Sequence, residues 1–281
     1  MDEPRVRMTG EGEPVLFVPG FPFGLHAFRQ LIPLATGRFR TVVVDVDEPA
    51  GAKERTDALR SVLDRLDVER CAVIAHGTGG RAAEALAFGD AGDIVDVMVL
   101  LATPGPTGAI ALPADPDEAL ALAHVEPMGR EDADAYLDAW RRDPYAYARG
   151  RAALGSGDDV AGLEDAMAAW EKPVLILHGE DDRIVEPAVA ERLNAAIPAS
   201  TLGFVPESGH LLLDDAFASI GTMILEYLRA RYLHAPHDHG GVAMLQMERR
   251  PPWLDRGPEV ADDEGEPVLP DPAEQEVGPN P

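Results

Sequence analysis

One stretch of the sequence, Cys71 to Gly80, has residue types and spacing suited to nucleophilic catalysis: Cys-Ala-Val-Ile-Ala-His-Gly-Thr-Gly-Gly. Its apolar run, 71–75, is typical of a buried parallel strand, and a helix-forming run, 81–88, follows directly after the glycines. A strand, a sharp turn and a helix in succession predict a nucleophile elbow, whose template is small, any residue, nucleophile, any residue, small. Residues 75–79 fit this template, but the nucleophile position holds Gly77, which has no side chain.

Three other stretches hold residues that could serve the same site. Residues 15–22, Val-Leu-Phe-Val-Pro-Gly-Phe-Pro, join an apolar strand to a Pro/Gly loop. Residues 174–185 join a second apolar strand to a Gly-Glu-Asp-Asp run, and residues 206–211 read Pro-Glu-Ser-Gly-His-Leu. Together with the elbow, these motifs resemble those of the α/β-hydrolase family over residues 10–233, in the family's order of elbow, acid and histidine.

The resemblance implies roles for individual residues. Asp182 stands at the acid of the family's catalytic triad, in preference to its neighbour Asp181, and His210 stands at the base. A carboxylate that holds one ring nitrogen fixes the tautomer and leaves the other nitrogen to act as a general base. The backbone N–H groups of Phe21 and Thr78 are implied as the two donors of an oxyanion hole, and backbone donors survive a change of side chain.

Gly77 is the main departure from the family, which has Ser, Cys or Asp at this position, and Pro19 stands where a His is usual. The elbow forces its central residue towards positive φ, a conformation that glycine adopts without strain. The sequence therefore keeps the turn and lacks the nucleophile. Thr78 is not expected to replace it, because that register would place the bulky His76 where a small residue is needed.

A His–Asp pair beside an oxyanion hole, without a nucleophile, suits two kinds of chemistry. One is activation of water in the space that a serine side chain would fill. The other is proton abstraction next to a carbonyl group, followed by elimination, cyclisation or isomerisation. We favour the proton-transfer class, because attack of water on an ester is usually better performed with the serine present.

The leading hypothesis is therefore an enzyme of small-molecule metabolism, of hydrolase or lyase/cyclase type, that acts on a small carbonyl or ester substrate. Two alternatives remain open at this point. The first is a non-catalytic pseudo-hydrolase that binds a ligand or a protein partner. The second is an ordinary serine esterase that carries an engineered Ser-to-Gly change at position 77.

Strand and helix patterns alternate on both sides of the elbow, which indicates a mostly parallel sheet flanked by helices. Residues 1–108 and 171–234 are predicted to form this α/β-hydrolase core. The N-terminal edge of its sheet is expected to be short, because the first strands of a full-length family member would need more chain before residue 15. Residues 109–170 have helical character without a strand pattern, and we expect them to form an inserted helical cap. Residues 235–281 are acidic and rich in proline, a composition typical of a disordered tail.

The predicted cap would roof the site, so its larger side chains are candidates for contact with a substrate. Trp140 and Tyr145 are the candidates from the cap. His26, just after the oxyanion loop, is a candidate from the core. Most other large cap side chains are expected to pack the cap onto the core instead.

The composition argues against several classes of partner. The net charge is −26, from 50 acidic residues and 24 Lys and Arg, which disfavours nucleic acid and anionic membranes. The sequence has neither an apolar run long enough for a transmembrane helix nor the pattern of a signal peptide. Cys71 is the single cysteine and cannot form an internal disulfide, so we expect a cytoplasmic protein. The expected partner is a small-molecule substrate, and the sequence predicts no oligomeric state.

No cofactor and no metal are expected from the sequence. Residues 77–80 are rich in glycine, but no Lys follows at the spacing of a phosphate loop, and no dinucleotide fingerprint is present. His234, His237 and His239 form a short run that could bind a metal, yet no other motif completes such a site.

Overall fold

A computed structural model describes residues 5–45, 52–89, 92–106, 108–154 and 162–233. The strands are Arg5–Thr9 (β1), Pro14–Val18 (β2), Arg40–Asp45 (β3), Cys71–His76 (β4), Val95–Leu101 (β5), Val174–Gly179 (β6) and Ser200–Val205 (β7). They form one seven-stranded sheet in the order β1-β3-β2-β4-β5-β6-β7. Strand β1 is antiparallel to β3, and all other neighbours are parallel, which confirms the predicted mostly parallel sheet.

Strand β1, of five residues, forms the N-terminal edge of the sheet, where a short edge is expected. Its sequence, Arg-Val-Arg-Met-Thr, alternates polar and apolar side chains, and its backbone pairs with β3 from Arg5 opposite Asp45 to Thr9 opposite Thr41. Met8 is 51% exposed, as expected for an edge strand that covers little of the core. An alternation over only five residues is a weak pattern, and the pairing with β3 decides the conformation.

The helices are Leu31–Thr36 (α1), Ala52–Arg65 (α2), Gly79–Phe88 (α3), Pro116–Ala123 (α4), Arg130–Arg142 (α5), Pro144–Ala153 (α6), Glu164–Ala168 (α7), Pro187–Ala196 (α8), Leu212–Asp215 (α9) and Phe217–Leu228 (α10). Residues Gly24–Phe28 form a 3₁₀ helix, which is divided from α1 by Arg29 and Gln30. Pro33 explains the division, because proline is tolerated in the first turn of a helix and not in its interior.

Alternate residues of the strands face opposite layers of helices. Leu16 and Val18 of β2 belong to one buried apolar cluster, together with residues of α2, α3 and α8. Val15 and Phe17 belong to a second cluster, together with residues of α1 and α10. Burial on both faces explains why these strands are continuous apolar runs in the sequence.

In the described part of the segment between β5 and β6, four helices, α4 to α7, are present, and the described part of residues 109–170 contains no strand. A third apolar cluster joins Tyr136 and Tyr147 of these helices to Phe23, after β2, and to Leu211, after β7. The helices therefore pack over loops that follow the strands, which is the edge of a parallel sheet where functional residues collect.

Two of the sequence predictions concern residues that the structure does not describe. The acidic segment 235–281 and the run from His234 to His239 lie outside the described residues. Within the described ranges, no helix combines the length and apolar character that crossing a membrane would require.

Candidate active site

The turn between β4 and α3 holds Gly77 in the left-handed conformation, with φ of 52°. The N–H of Gly77 donates to the carbonyl oxygen of Leu101 on β5 at 2.9 Å. At Gly79, a Cβ atom would collide with the carbonyl oxygen of Val18 at the end of β2, so the close approach of the turn to β2 requires glycine. Residues 71–88 thus have the predicted strand, sharp turn and helix.

His210, after β7, lies beside Asp182, after β6. Its Nδ1 atom is 2.9 Å from Oδ2 of Asp182, and both side chains are buried. The other carboxylate oxygen, Oδ1, accepts hydrogen bonds from the backbone N–H groups of Ile184 at 2.8 Å and Val185 at 2.9 Å. With the carboxylate ionised, Nδ1 is the nitrogen that donates, and Nε2 carries the lone pair.

Asp182 is held as an anion although it is buried. Burial opposes ionisation, but the charge of His210 and the hydrogen bonds from His178 and His210 outweigh it, so the pKa of Asp182 lies below its ordinary value. The Nε2 atom of His178 is 3.3 Å from Oδ2 of Asp182 and 2.8 Å from the carbonyl oxygen of Val185. Sequence reasoning missed His178, although its place at the end of an apolar strand, before Gly179, could have pointed to a buried polar role.

The second ring nitrogen of His210 faces the elbow. A Cβ atom built on Gly77 would lie 2.9 Å from Nε2 of His210 and 3.5 Å from Cε1 of the same ring. The imidazole therefore reaches into the space that a side chain at position 77 would fill. The ring of Phe23 lies 5.7 Å from the imidazole, between centroids, and only 2% of His210 is exposed.

His76, the last residue of β4, supports the backbone of His210. Its Nε2–H donates to the carbonyl oxygen of His210 at 3.0 Å, and the two ring centroids are 4.9 Å apart. Burial, followed by the charge of His210, lowers the pKa of His76 to about 3. His76 is therefore neutral near pH 7 and acts as a fixed hydrogen-bond donor.

The two residues implied as oxyanion donors lie together, but one of the two N–H groups is already used. The N–H of Phe21 donates to the hydroxyl oxygen of Thr78 at 2.7 Å. The Phe21 N–H therefore has a protein acceptor, which is the side chain of the other residue implied as a donor. The two residues are 57 positions apart, and their sequence motifs carry no sign of this pairing.

Comparison with known proteins assigns the family. The profile of the Alpha/beta hydrolase family matches residues 15–220. The chain belongs to the alpha/beta hydrolase family. This α/β-hydrolase is 25% identical over 249 residues to the magnesium-chelatase 30 kDa subunit of Rhodobacter capsulatus, which covers 78% of this chain and 87% of that protein. It is also 25% identical over 241 residues to a 2-hydroxy-6-oxononadienedioate/2-hydroxy-6-oxononatrienedioate hydrolase of Cupriavidus pinatubonensis, with 75% of this chain and 83% of the relative covered.

Solved hydrolase structures share the fold of this α/β-hydrolase. A mutant of a meta-cleavage product hydrolase matches with a TM-score of 0.67 at 18% identity, over 81% of this chain and 94% of that chain. A thermophilic esterase from Thermogutta terrifontis matches with a TM-score of 0.66 at 23% identity, over 81% and 93% of the two chains. The predicted α/β-hydrolase fold is confirmed, and the hydrolases among the relatives agree with the expectation of an enzyme.

The three candidates for substrate contact, Trp140, Tyr145 and His26, lie in three different environments. Trp140 packs on Phe21 in the loop after β2, with ring centroids 5.1 Å apart, and its Nε1–H donates to the carbonyl oxygen of Pro22 at 2.8 Å. Tyr145 is 80% exposed and lies on the solvent side of α6, so the structure does not bring it to the site. The Nε2 atom of His26 is 3.0 Å from Oδ1 of Asp132, in a contact between the 3₁₀ helix and α5.

The contact of His26 with Asp132 belongs to a charged network that sequence reasoning missed. Arg29 bonds to Oδ1 of Asp132 on α5 through Nε at 2.7 Å, and to Oδ1 of Asp214 on α9 through a terminal nitrogen at 2.7 Å. The hydroxyl of Tyr136 donates to Oδ2 of Asp214 at 2.8 Å. These partners are far apart in the sequence and lie in unrelated motifs, so no local pattern could have identified them.

Helix α3 also carries two buried charged residues next to the elbow. The guanidinium of Arg81 donates to the carbonyl oxygens of Gly105, Gly108 and Leu154, and so ties the loop after β5 to the end of α6. Glu84 is fully buried, and neither carboxylate oxygen has a well-formed hydrogen bond among the described residues. Burial raises the pKa of Glu84 to about 7, although the charge of Arg81 and the nearby hydroxyl of Thr103 partly offset it.

Replacing Glu84 with glutamine is expected to stabilise the protein at alkaline pH. The pKa of Glu84 is raised in the folded state, so its favourable contribution is complete below its ordinary pKa and is lost as the pH rises through about 7. Above that pH, the buried charge costs roughly 3 kcal/mol. Thermal melting should show a gain for Glu84→Gln at pH 9 that is much smaller at pH 4, whereas the exposed Glu191→Gln on α8 should change little at either pH. Equal gains at both pH values would contradict the buried charge.

The described residues offer no site for a metal and no reactive thiol at the elbow. Within the described ranges, no three or more His, Cys, Asp or Glu side chains are grouped so that they could hold a metal ion. Cys71 is buried at the start of β4, and burial raises the pKa of its thiol to about 12. The thiol is therefore protonated near pH 7 and does not supply a nucleophile.

Proposed function

We propose that this α/β-hydrolase uses His210 and Asp182 for acid–base chemistry on a small carbonyl or ester substrate, without a covalent enzyme intermediate. One observation carries the proposal: Nε2 of His210, on a ring oriented by Asp182, faces Gly77 at the position where the family has its nucleophile. The space that a nucleophilic side chain would occupy is thus reached by the base itself. A base in this position acts directly on the substrate or on water.

In the proton-transfer form of the reaction, Nε2 of His210 takes a proton from the carbon next to the substrate carbonyl. The electron pair of that C–H bond forms a carbon–carbon double bond as a leaving group departs from the adjacent carbon. The leaving group then receives the proton from Nε2, which returns His210 to its starting state. Asp182 accepts from Nδ1 throughout and stabilises the imidazolium that exists between the two transfers.

In the hydrolytic form, Nε2 of His210 takes a proton from water while the water oxygen adds to the carbonyl carbon. The addition product then collapses, the bond to the leaving group breaks, and the leaving group receives the proton from Nε2. We favour the proton-transfer form, because water attack on an ester is usually performed through a serine that this chain lacks at Gly77.

The names of the relatives support a small substrate with carbonyl groups. One relative is a hydrolase of 2-hydroxy-6-oxononadienedioate, and similar solved structures include a meta-cleavage product hydrolase and an esterase. The first name contains an oxo group, and an ester contains a carbonyl group. We therefore place the substrate of this chain among keto acids and esters of similar size.

The proposal is tested by comparing the wild-type protein with His210→Ala. Both proteins would be incubated with acyl esters and with β-hydroxy and β-acyloxy carbonyl compounds, and the products identified by mass spectrometry. We expect turnover in the wild type that falls by about 10²–10⁴-fold in His210→Ala, because a positioned base supplies that factor. The product mass separates elimination from hydrolysis. Equal turnover by two variants with similar melting temperatures would contradict the role of His210.

The second candidate is a pseudo-hydrolase that binds a ligand or a protein partner without catalysis. Two observations favour it: the N–H of Phe21 is already bonded to Thr78, and the aromatic side chains of Trp140 and Tyr147 pack against Phe21. A relative named as a subunit, the magnesium-chelatase 30 kDa subunit, is consistent with a binding role. Absence of any turnover that depends on His210 would favour this candidate, and a search for bound partners would follow.

A further inference from the structure

The hydrogen bond between Phe21 and Thr78 closes one side of the candidate oxyanion hole. The distance of 2.7 Å from the Phe21 nitrogen to the Thr78 hydroxyl oxygen is that of a strong hydrogen bond. Thr78 is only 7% exposed, so water does not readily compete for the contact. An N–H that donates to a protein oxygen at this distance is not available to a substrate oxygen.

The surroundings of Thr78 hold its hydroxyl in this position. Thr78 is the N-terminal capping residue of α3, yet its side chain makes no hydrogen bond to its own helix. A guanidinium nitrogen of Arg55 lies 3.5 Å from the same hydroxyl oxygen, and Arg55 also donates to the carbonyl oxygen of Pro19 in the oxyanion loop. The hydroxyl of Thr78 donates to the carbonyl oxygen of Phe21 at the longer distance of 3.5 Å. The hydroxyl thus serves mainly as an acceptor for the loop.

We infer that Thr78 is a side-chain lock on the oxyanion hole and thereby a determinant of which reactions the site performs. While the Thr78 hydroxyl accepts from the N–H of Phe21, the lock is closed. A substrate oxygen that becomes negatively charged can then accept from the backbone N–H of Thr78 but not from that of Phe21. Reactions through a tetrahedral oxyanion are slowed, because removal of one such donor costs about 10²–10³-fold in rate. The inference rests on the proposed use of His210 as the base in the same site.

The lock is tested in the Gly77→Ser variant, in which the new serine is expected to perform acyl transfer. A second substitution, at Thr78, is added to this variant. The probe is p-nitrophenyl acetate, and the measurement is the rate constant of the acylation burst. Thr78→Ala removes the hydroxyl and frees the N–H of Phe21, so we expect acylation roughly 10²-fold faster than in Gly77→Ser alone. Thr78→Ser restores a hydroxyl and should return the slow rate. Equal or slower acylation in the Thr78→Ala variant would overturn the lock.

A second measurement needs neither activity nor a serine at position 77. Hydrogen exchange of the Phe21 amide, followed by ¹⁵N NMR, reports whether that N–H has an acceptor. In the protein that keeps Gly77, Thr78→Val preserves the shape of the side chain and removes the hydroxyl. Hydrogen exchange at the Phe21 amide should then be roughly threefold to tenfold faster. Thr78→Ser should keep the wild-type rate, and equal rates in all three proteins would overturn the inference. Because His210→Ala is assayed separately in the Gly77 protein, failure of the proposed function and failure of the lock are distinguishable.

Discussion

Replacing Asp182 with asparagine is expected to lower turnover that depends on His210 by about 10⁴-fold. The Oδ2 atom of Asp182 accepts from Nδ1 of His210 at 2.9 Å and so leaves the lone pair on Nε2. An asparagine that keeps the Oδ1 bonds to Ile184 and Val185 turns its NH₂ group towards His210. Nδ1 must then accept, the proton moves to Nε2, and the atom that faces Gly77 becomes a donor in place of a base. The measurement is the steady-state rate on a compound that the wild type converts.

The neighbouring residue provides a matched control for this substitution. Asp181→Asn makes the same chemical change one position earlier, and the side chain of Asp181 is exposed. We expect wild-type turnover for Asp181→Asn, and melting curves would show whether Asp182→Asn remains folded. Similar losses in the two variants, or wild-type turnover in a folded Asp182→Asn, would show that the His210–Asp182 pair does not act as a catalytic unit.

Introducing a hydroxyl with Gly77→Ser is expected to create acyl transfer that the wild type lacks. The new hydroxyl adds to the carbonyl of p-nitrophenyl acetate, its proton goes to Nε2 of His210, and p-nitrophenol leaves with that proton. Removal of a serine nucleophile costs about 10⁶-fold in a serine hydrolase, and an absent oxyanion donor costs about 10²–10³-fold. Ester cleavage is therefore expected to be about 10³–10⁴-fold faster than in the wild type. It is measured as a burst of p-nitrophenol and as the mass of one acetyl group on the protein.

Gly77→Ala separates the hydroxyl from the steric effects of a side chain. Either variant places a Cβ 2.9 Å from Nε2 of His210 and keeps φ at 52°, so the imidazole must shift and the turn is strained. Both variants should lose about 1–3 kcal/mol of stability, but only Gly77→Ser should form an acetyl enzyme. A folded Gly77→Ser without a burst would show that residue 77 is not at the nucleophile position, and acetylation of Gly77→Ala would show that another residue reacts.

The sequence by itself determined the fold class and the order of the elements that carry the site. Strands buried on both faces are continuous apolar runs, so β2, β4 and β6 could be predicted to within about two residues of their observed bounds. The glycine pattern around Gly77 predicted the turn, because its φ of 52° suits a residue without a side chain. Resemblance of motifs then selected His210 and Asp182. In the structure, Nδ1 of His210 lies 2.9 Å from Oδ2 of Asp182.

Only the tertiary structure decided what the side chains of the site do. The approach of His210 to Gly77, the bond from Phe21 to Thr78 and the pairing of Arg29 with Asp132 each join residues far apart in the sequence. Local patterns of residue types in the sequence indicate burial and turn geometry, because these depend on neighbours along the chain. The partner of a polar group depends on which distant atoms the packing brings within about 3 Å. That distance is set by the whole fold and not by any motif within it.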